Sequence, residues 1–437
     1  MSLKKGNKFI SNIQYPDHKS WDKRKDRVSF DIENVHHSLT NALRRCMLSK
    51  VPTVGFIGSP FDKTTIKIHT NDTPLHNEFL IHRISMIQIN YKKVEKYDED
   101  EFQFEINEYN DTNEIMDITT EHIKVKKLSN NQYLSFEDMR QLFPPDPITG
   151  EFALLTILKP KFYTPLKFNT EVMNQINSNY EKKDADHSRL YFEARARVGM
   201  ATGDDNAHFC PVSCVACINT VDNAKAKLNE EQYVVMENEK AKLHDLTPYS
   251  EEKLRRRFQI SERERYFQTN DRGEPNKFTY TVESVGVIPP LVVFHQSIKI
   301  LINKINLFVS NIINKNRSSL EILPSQQFDN GYEISIINED DTLGNLAQSY
   351  LSRLYCDYLM EEDQWKIKYI GYRKPHPLNN YILITIQGKN SDTFDKIVEN
   401  IIAPGCQEIV KVLSNISSEL ENTKQFTDEM AIVSKSF

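Results

Sequence analysis

The sequence is poor in several features that mark common protein classes. Six cysteines in 437 residues are too few for a disulfide framework, so we expect a chain of a reducing compartment. The 13 glycines are scattered, and no Gly-rich phosphate loop, G-x-S-x-G elbow or H-E-x-x-H helix occurs. Nothing here indicates a self-contained enzyme. We therefore expect no catalytic residue, no cofactor and no small-molecule substrate.

Long apolar runs and a surplus of positive charge are also missing. The longest apolar run, 285–294, contains two prolines and is about half as long as a membrane span. The first residues lack the apolar segment of a secretory signal. A net charge of −6 and a pI near 6.1 disfavour binding to nucleic acid through bulk charge. The sequence predicts a soluble chain with no membrane contact and no direct, specific nucleic-acid contact.

What the chain does contain is one pattern that occurs twice. The first copy, HHSLTNALRRCML at 36–48, places these residues on one helical face: Leu39, Ala42, Leu43, Cys46 and Met47. The second copy, DDTLGNLAQSYLSRL at 340–354, lies 304 residues later and aligns these: Leu343, Leu346, Ala347, Tyr350 and Leu351. Ser38 and Thr342 are the predicted N-caps. Amphipathic helices often look alike, so the repeat needs support from its surroundings.

The order of the surrounding elements repeats as well. A strand-like run at 73–89 and a long helical pattern at 288–315 follow the first copy. Two alternating strands at 365–388 and a helical pattern at 391–420 follow the second. The last pattern has one apolar seam: Val398, Ile402, Cys406, Ile409, Leu413, Ile416 and Leu420. Pro404 is expected to kink or divide that helix.

These patterns predict an α+β fold of two units, each a sheet with an early and a late helix. Neither unit covers its own apolar stripes, whereas two units facing each other do. We place the first unit at 1–91 and 277–316, a mostly β insertion at 92–276, a linker at 317–330 and the second unit at 331–437. Within the insertion, 191–198 is a predicted strand. The charged helical stretch 251–266 is interpreted as a solvated face, because glutamates accompany its arginines.

The same residues resemble a known family. NALRRCMLSKVPTVGF (41–56), HNEFLIHRISMIQI (76–89), ARVGMATGDDNAHFCPVS (196–213) and FTYTVESVGVIPPLVVFHQSIKILINK (278–304) are similar to the third-largest subunit of RNA polymerase II and the archaeal D subunit. NEDDTLGNLAQSYL and IKYIGYRKPHPLNNYILITIQ resemble the small eleventh subunit and the archaeal L subunit. The resemblance implies a pseudo-heterodimer written into one polypeptide, as in polymerase subunits of large cytoplasmic DNA viruses.

The resemblance also implies a role and an interface. A non-catalytic scaffold of this kind would dock the second-largest and largest polymerase subunits, together with small zinc-bearing subunits. The two apolar stripes would fill the core of the intramolecular dimer. Asn41, Arg44 and Arg45 would face the second-largest subunit, although solvated helix arginines are the alternative. The expected location is the host cytoplasm, in a viral factory, with the virion and the nucleus as further locations. A free-standing transcription regulator or protein-binding dimerisation module is the alternative function.

Two further motifs are weighed within this resemblance. Gly371, Pro375, His376 and Pro377 match the family's turn motif, with His376 as a hydrogen-bonded structural residue. Many family members carry a zinc-binding Cys cluster after the run that matches 76–89, but no cysteine follows it here. A different set, Cys210, Cys214 and Cys217 with His208, has ligand-like spacing. Because its segment reads as a strand, Cys214 and Cys217 would point to opposite faces, so we expect buried thiols and no metal.

Overall fold

The structure is a computed structural model that describes residues 8–16, 26–160, 188–202, 206–244, 249–316, 318–356, 366–389 and 392–435. Parts of the predicted insertion and residue 317 of the predicted linker lie outside these ranges. No helix in the described ranges combines the length and the apolar character that a membrane span requires.

The helices and strands alternate irregularly along the chain. The strands are β1 (Ile10–Gln14), β2 (Arg27–Glu33), β3 (Thr53–Phe56), β4 (Ile66–Asn71), β5 (Phe102–Asn110), β6 (Met116–Thr119), β7 (Lys124–Lys127), β8 (Gln132–Tyr133), β9 (Leu154–Leu158), β10 (Ser188–Ala194), β11 (Ala196–Gly199), β12 (Val212–Asn219), β13 (Lys277–Ser284), β14 (Leu320–Pro324), β15 (Gly331–Ile337), β16 (Ile367–Arg373) and β17 (Tyr381–Gly388). The α-helices are α1 (His37–Ser49), α2 (Asn77–Ser85), α3 (Phe136–Leu142), α4 (Asn223–Leu243), α5 (Glu251–Ser261), α6 (Pro290–Ile313), α7 (Asp341–Tyr355), α8 (Phe394–Ile397), α9 (Ala403–Glu421) and α10 (Lys424–Lys435).

The first half is built on a four-stranded antiparallel sheet in the order β1-β2-β13-β12. Alternation along β13 buries Phe278, Tyr280 and Val282 on one face. Tyr280 stacks on Phe30 of β2 with ring centroids 5.4 Å apart, and Phe294 of α6 packs on Phe30 at 4.8 Å. The Tyr280 hydroxyl donates to the carbonyl of Thr40 in α1. The sheet, α1 and α6 therefore share one core.

The insertion has its own five-stranded antiparallel sheet, in the order β4-β10-β5-β7-β8. Strand pairing differs from the predicted boundary 92–276 at both ends. Strand β4 precedes that boundary but pairs with β10, whereas β12 lies inside it but pairs with β13 of the first sheet. The register explains the second difference, because Val215 lies opposite Val282 and both side chains are buried.

The second half has a four-stranded antiparallel sheet in the order β14-β15-β17-β16. Strand β17 buries Ile382, Ile384 and Ile386, and α7 packs on β16 and β17. The predicted linker 317–330 contains β14, which pairs with β15 and so belongs to this sheet. The chain that joins the two halves is therefore the short stretch between α6 and β14.

Several predicted elements agree with the structure and others need correction. The pattern at 288–315 forms α6, and Pro290 lies in its first turn, where a missing N–H does no harm. The run at 73–89 is not a strand: it contains α2, whose buried Leu80, Ile81 and Ile84 occupy one helical face. The predicted strand at 191–198 breaks at Arg195 into β10 and β11.

Pro404 divides the last predicted helix. A single π-helical turn at Val398–Ile402 separates α8 from α9, and Pro404 follows in the first turn of α9. Proline has no N–H to donate to the carbonyl four residues earlier, so the hydrogen-bond ladder widens at this point. The seam predicted for this helix is nevertheless buried throughout, from Val398 to Leu420.

Candidate functional site at the interface between the halves

Both interface helices begin two residues earlier than predicted. His36, rather than Ser38, is the N-cap of α1, and its Nδ1 accepts from the Ser38 N–H at 3.3 Å. Asp340, rather than Thr342, is the N-cap of α7, and its carboxylate accepts from the Thr342 N–H at 2.9 Å. The shift is equal in both copies, so the two helices remain equivalent along the repeat. Asp340 also places negative charge at the positive end of the helix dipole.

The two apolar stripes lie between the sheets. The stripe of α1 is at most 2% exposed: Leu39, Ala42, Leu43, Cys46 and Met47. On α7 four positions are equally buried, at 2% exposure or less: Leu343, Leu346, Ala347 and Leu351. Tyr350 is half-buried at the edge, with its ring 6.2 Å from that of His36. Each fully buried leucine contributes about 1.5–3 kcal/mol through loss of water contact.

The contacts between α1 and α7 run in opposite order along the two helices. The late part of α1 contacts the start of α7, since Arg45 meets Thr342, and the start of α1 meets Tyr350. The helices therefore cross antiparallel. The late helices α6 and α9 join α1 and α7 in one packed group of helices. Helix α6 packs against α1 and α9, and α9 packs against α7. A Cβ atom at Gly405 of α9 would collide with Leu351, so glycine permits this close approach.

Charged side chains of opposite sign surround the stripes. Lys304 of α6 places its Nζ 2.6 Å from Glu339 Oε2 and 3.9 Å from Asp340 Oδ1. Lys50, at the end of α1, lies 3.6 Å from Asp340 Oδ2. Burial raises the pKa of Glu339. Burial acts in the same direction on Asp340, but Lys304 and the hydrogen bonds from Thr342 outweigh it and hold the pKa of Asp340 below its ordinary value.

The C-terminal helix adds a second set of contacts that the sequence patterns did not reveal. Glu429 of α10 is 2% exposed, and its Oε2 accepts from the backbone N–H groups of Leu291 and Val292 at 2.9 and 3.3 Å. Its Oε1 accepts from the Tyr15 hydroxyl at 2.7 Å. These bonds fix the positive end of α6 to the second half. The negative charge and a helical period were the only signals at this position, and neither is specific.

Two more acidic groups of the second half bind the first. Glu421 Oε1 lies 2.7 Å from His295 Nε2, and Glu419 accepts from the backbone N–H of Phe9 at 2.7 Å. Burial lowers the pKa of His295, and the nearby Glu421 carboxylate only partly opposes this effect. One ion pair has the reverse polarity, since Arg353 of α7 lies 2.8 Å from Glu274 in the loop before β13.

The structure separates the three residues predicted to face a partner. Arg45 donates from Nε to the Thr342 hydroxyl at 2.9 Å, so it bridges the two halves within the chain. Arg44 donates from Nε and Nη2 to Asn41 Oδ1 at 3.1 and 3.0 Å. Asn41 is exposed and Arg44 is partly exposed. Arg44 and Asn41 thus form a surface pair, whereas Arg45 belongs to the interface.

The predicted turn residues divide in a similar way. Gly371 is buried within β16, whereas Pro375, His376 and Pro377 lie exposed in the turn between β16 and β17. His376 Nδ1 accepts from the Leu378 N–H at 3.2 Å, and its carbonyl accepts from the Asn379 N–H. The side chain of His376 therefore stabilises the turn locally.

The cysteine cluster does not converge. Cys210 donates from Sγ to the carbonyls of Leu48 and Val212, both at 3.1 Å, and burial raises its pKa. The expectation of buried thiols is wrong for Cys214, which is exposed on β12, whereas Cys217 is partly buried and burial raises its pKa. Within the described ranges, no three His, Cys, Asp or Glu side chains come together in a way that could hold a metal ion.

Comparison with known proteins places both halves in one family. Residues 29–305 match the family model of the RNA polymerase Rpb3/Rpb11 dimerisation domain, and residues 332–419 match a second model with the same description. The first match alone covers more than half of the chain. The chain therefore belongs to the RNA polymerase Rpb3/Rpb11 dimerisation domain family, with two such domains in tandem.

Individual relatives match shorter stretches. DNA-directed RNA polymerase subunit Rpo3 of Pyrococcus furiosus is 35% identical over 68 residues, which are 16% of this chain and 23% of that protein. DNA-directed RNA polymerases II, IV and V subunit 3 of Arabidopsis thaliana is 32% identical over 76 residues, 17% of this chain and 22% of that protein. A conjugation stage-specific protein of Tetrahymena thermophila is 26% identical over 113 residues, 23% of this chain and 34% of that protein. The chain thus spans about a fifth to a third of these relatives' length.

Proposed function

We propose that the chain is a non-catalytic assembly scaffold of a multisubunit DNA-directed RNA polymerase. The observation that carries this proposal is the packing of two domains of one dimerisation family against each other inside a single polypeptide. The apolar stripes that would join two separate subunits are already buried within the chain. The chain therefore presents the outside of a completed dimer to other subunits.

The proposed partners are the second-largest and largest polymerase subunits, with small zinc-bearing subunits beside them. The pair of the exposed Asn41 and the partly exposed Arg44 is the proposed contact with the second-largest subunit, because it lies off the buried stripe of α1. A guanidinium offers several N–H donors in a fixed plane, which suits carboxylates and carbonyls of a partner. Arg45 is not part of this proposal, since its Nε is bound to Thr342.

We also propose that the chain serves a large DNA virus and acts in the host cytoplasm. The support is the fusion of the two domains in one chain, which resembles viral polymerase subunits. Immunofluorescence of infected cells with an antibody to the chain tests this location. Staining confined to the nucleus would contradict it.

Copurification tests the proposed function. The tagged chain should bring down two very large polymerase subunits, whereas a free-standing regulator would be recovered without them. Arg44→Glu should reduce recovery of the second-largest subunit at least tenfold, because a donor becomes a repelling carboxylate. Arg256→Glu, an exposed change on the distant helix α5, is the matched control and should leave recovery unchanged. Normal assembly of the Arg44→Glu chain would refute the proposed contact.

A further inference from the structure

A large cavity lies away from the interface stripes. Its volume is about 960 Å³, and it lies where the end of α2, the loops at 143–147 and 284–289, and helix α10 meet. Pockets of roughly 300–1,000 Å³ are the usual size of binding sites. Most of its wall is apolar: Met86, Ile87, Phe143, Leu155, Val287 and Ile288. The cavity is thus large enough for several side chains of a ligand.

Prolines restrict two stretches of the cavity wall. Five prolines line it, in two groups: Pro144, Pro145, Pro147, Pro289 and Pro290. Proline fixes one backbone dihedral angle and has no N–H to donate. These two stretches of the wall therefore have little backbone freedom to lose when a ligand binds.

Most charged groups in the wall already have partners. Arg83 donates to the carbonyls of Leu154 and Leu155 at 2.9 and 2.7 Å. Asp146 Oδ1 accepts from two N–H groups of its own turn, at 2.8 and 2.9 Å. Glu429 is bound to the first turn of α6, and Asp26 also has a partner. These groups are therefore not available to bind a ligand without losing an existing bond.

Lys92 is different. It lines the cavity and is half-buried, yet no carboxylate of the described chain lies within ion-pair distance of it. Burial lowers its pKa below the ordinary value for lysine. An ammonium group in partly apolar surroundings without a counter-charge is unfavourable, and an anionic group of a ligand would relieve this cost. Lys92 thus identifies the charge that the ligand should carry.

The apolar surface continues outside the cavity. Four of the lining side chains remain well exposed: Met86 at 53%, Leu154 at 49%, Ile432 at 45% and Val285 at 38%. They come from separate parts of the chain and widen the mouth. A small ligand within the cavity would leave them in water, whereas an extended polypeptide covers both the cavity and its mouth.

We propose that this cavity binds an extended, apolar polypeptide segment that carries a carboxylate, with Lys92 as the residue that binds the carboxylate. The apolar side chains of the segment occupy the wall between Phe143 and Ile288, and its backbone crosses the mouth at Met86 and Leu154. This site goes beyond the proposed function, because it rests on the cavity and not on the pairing of the two halves.

Fluorescence anisotropy on the full chain tests the site. The probe is the fluorescein-labelled tetrapeptide Leu-Pro-Leu-Phe with a free carboxyl terminus, compared with the same peptide as its terminal amide. We expect the free acid to bind with a Kd at least tenfold lower than the amide. Lys92→Met should abolish this preference, and Lys92→Arg should retain it. Lys96→Met, a neighbouring exposed lysine outside the cavity, is the matched control and should behave as the unchanged chain.

Several outcomes would overturn the site. Equal binding of acid and amide, no binding of either, or a preference that survives Lys92→Met would each remove the assigned role of Lys92. Competition with decanoate separates the two sources of an apolar carboxylate. If decanoate binds and the peptide does not, the ligand is a fatty acid and the polypeptide proposal fails. Circular dichroism on each variant ensures that lost binding is not lost folding.

Discussion

Helices α1 and α7 bury equivalent positions of one apolar pattern, yet the side chains around them carry opposite charge. The first half brings the ammonium groups of Lys50 and Lys304 to the interface. The second half contributes carboxylates to the interface: Glu339, Asp340, Glu419, Glu421 and Glu429. Among the ion pairs that join the two halves within the described residues, only the pair of Arg353 and Glu274 has the reverse polarity.

The stripes and the charges therefore have different roles: the stripes stabilise the pairing of the halves, and the charges select which halves pair. The stripes bury apolar side chains on both helices, and the stabilisation that such burial gives is not directional. The charges are not interchangeable, because two first halves would bring lysines together and two second halves would bring carboxylates together. Repulsion of this kind disfavours the wrong pairing. The charges around the stripes therefore favour the pairing of unlike halves.

The largest expected effect comes from a charge in a stripe. Leu343→Asp places an unpaired carboxylate among buried side chains and should cost at least about 4 kcal/mol, or abolish folding. Leu39→Asp should cost a similar amount, because it is the equivalent position. Chemical denaturation measures both. Leu378→Asp, at a leucine that is 85% exposed, is the control and should be nearly neutral. Unequal losses of unfolding free energy at Leu39 and Leu343 would show that the two helices are not equivalent.

Reversing one charge should have the next largest effect. Lys304→Glu would place three carboxylates together at a site where Lys304 is 14% exposed, and should cost about 3 kcal/mol. Adding Glu339→Lys should recover much of this loss. Asn306→Glu, which adds a carboxylate at an exposed position of the same helix, is the matched control and should be nearly neutral. If the double variant is no more stable than Lys304→Glu alone, the charges do not specify the pairing.

Acid should weaken the first half through its cap. Burial, with a smaller contribution from His37, lowers the pKa of His36 from 6.5 to about 4. The unfolded chain therefore takes up the proton first, so this stability is present above pH 6.5 and is lost as the pH falls toward 4. His36→Asn keeps a capping oxygen and removes the proton site. Chemical denaturation at pH 7.5 and 5.5 measures how far the free energy of unfolding falls between the two pH values. This fall should be about 1 kcal/mol smaller in His36→Asn than in the unchanged chain. An unchanged loss would show that His36 does not titrate in this way.

The two adjacent arginines give the smallest expected difference. Arg45→Ala removes the bond to Thr342 across the halves and should cost about 1 kcal/mol. Arg44→Ala removes only a surface bond to Asn41 and should change stability by less than about 0.5 kcal/mol. Thermal unfolding of the two variants compares them directly. Equal stability would mean that the contact between Arg45 and Thr342 contributes nothing measurable.

Periodicity predicted the helices better than the strands. The late helices were visible because an apolar residue recurs every three or four positions over more than five turns, as in α9. The run at 73–89 was misread because α2 spans only nine residues, which is too short for a helical period to stand out. Strand β14 was not predicted, because its stretch has the composition of a linker. It is a strand because it pairs with β15. Strand membership depends on which segment lies alongside, and local sequence does not contain that information.

The sequence by itself determined the two equivalent helices, their apolar faces and the tandem arrangement, because burial follows local spacing of apolar residues. The tertiary structure alone decided which polar groups meet. Arg44 and Arg45 are neighbours with the same chemistry, yet Arg44 binds Asn41 of its own helix and Arg45 binds Thr342 of the other half, since successive helical residues point about 100° apart. Glu429 shows the same limit, because its partners at Leu291 and Val292 are brought to it only when both halves dock. Polar contacts need geometry at the scale of one bond, and only the folded chain provides it.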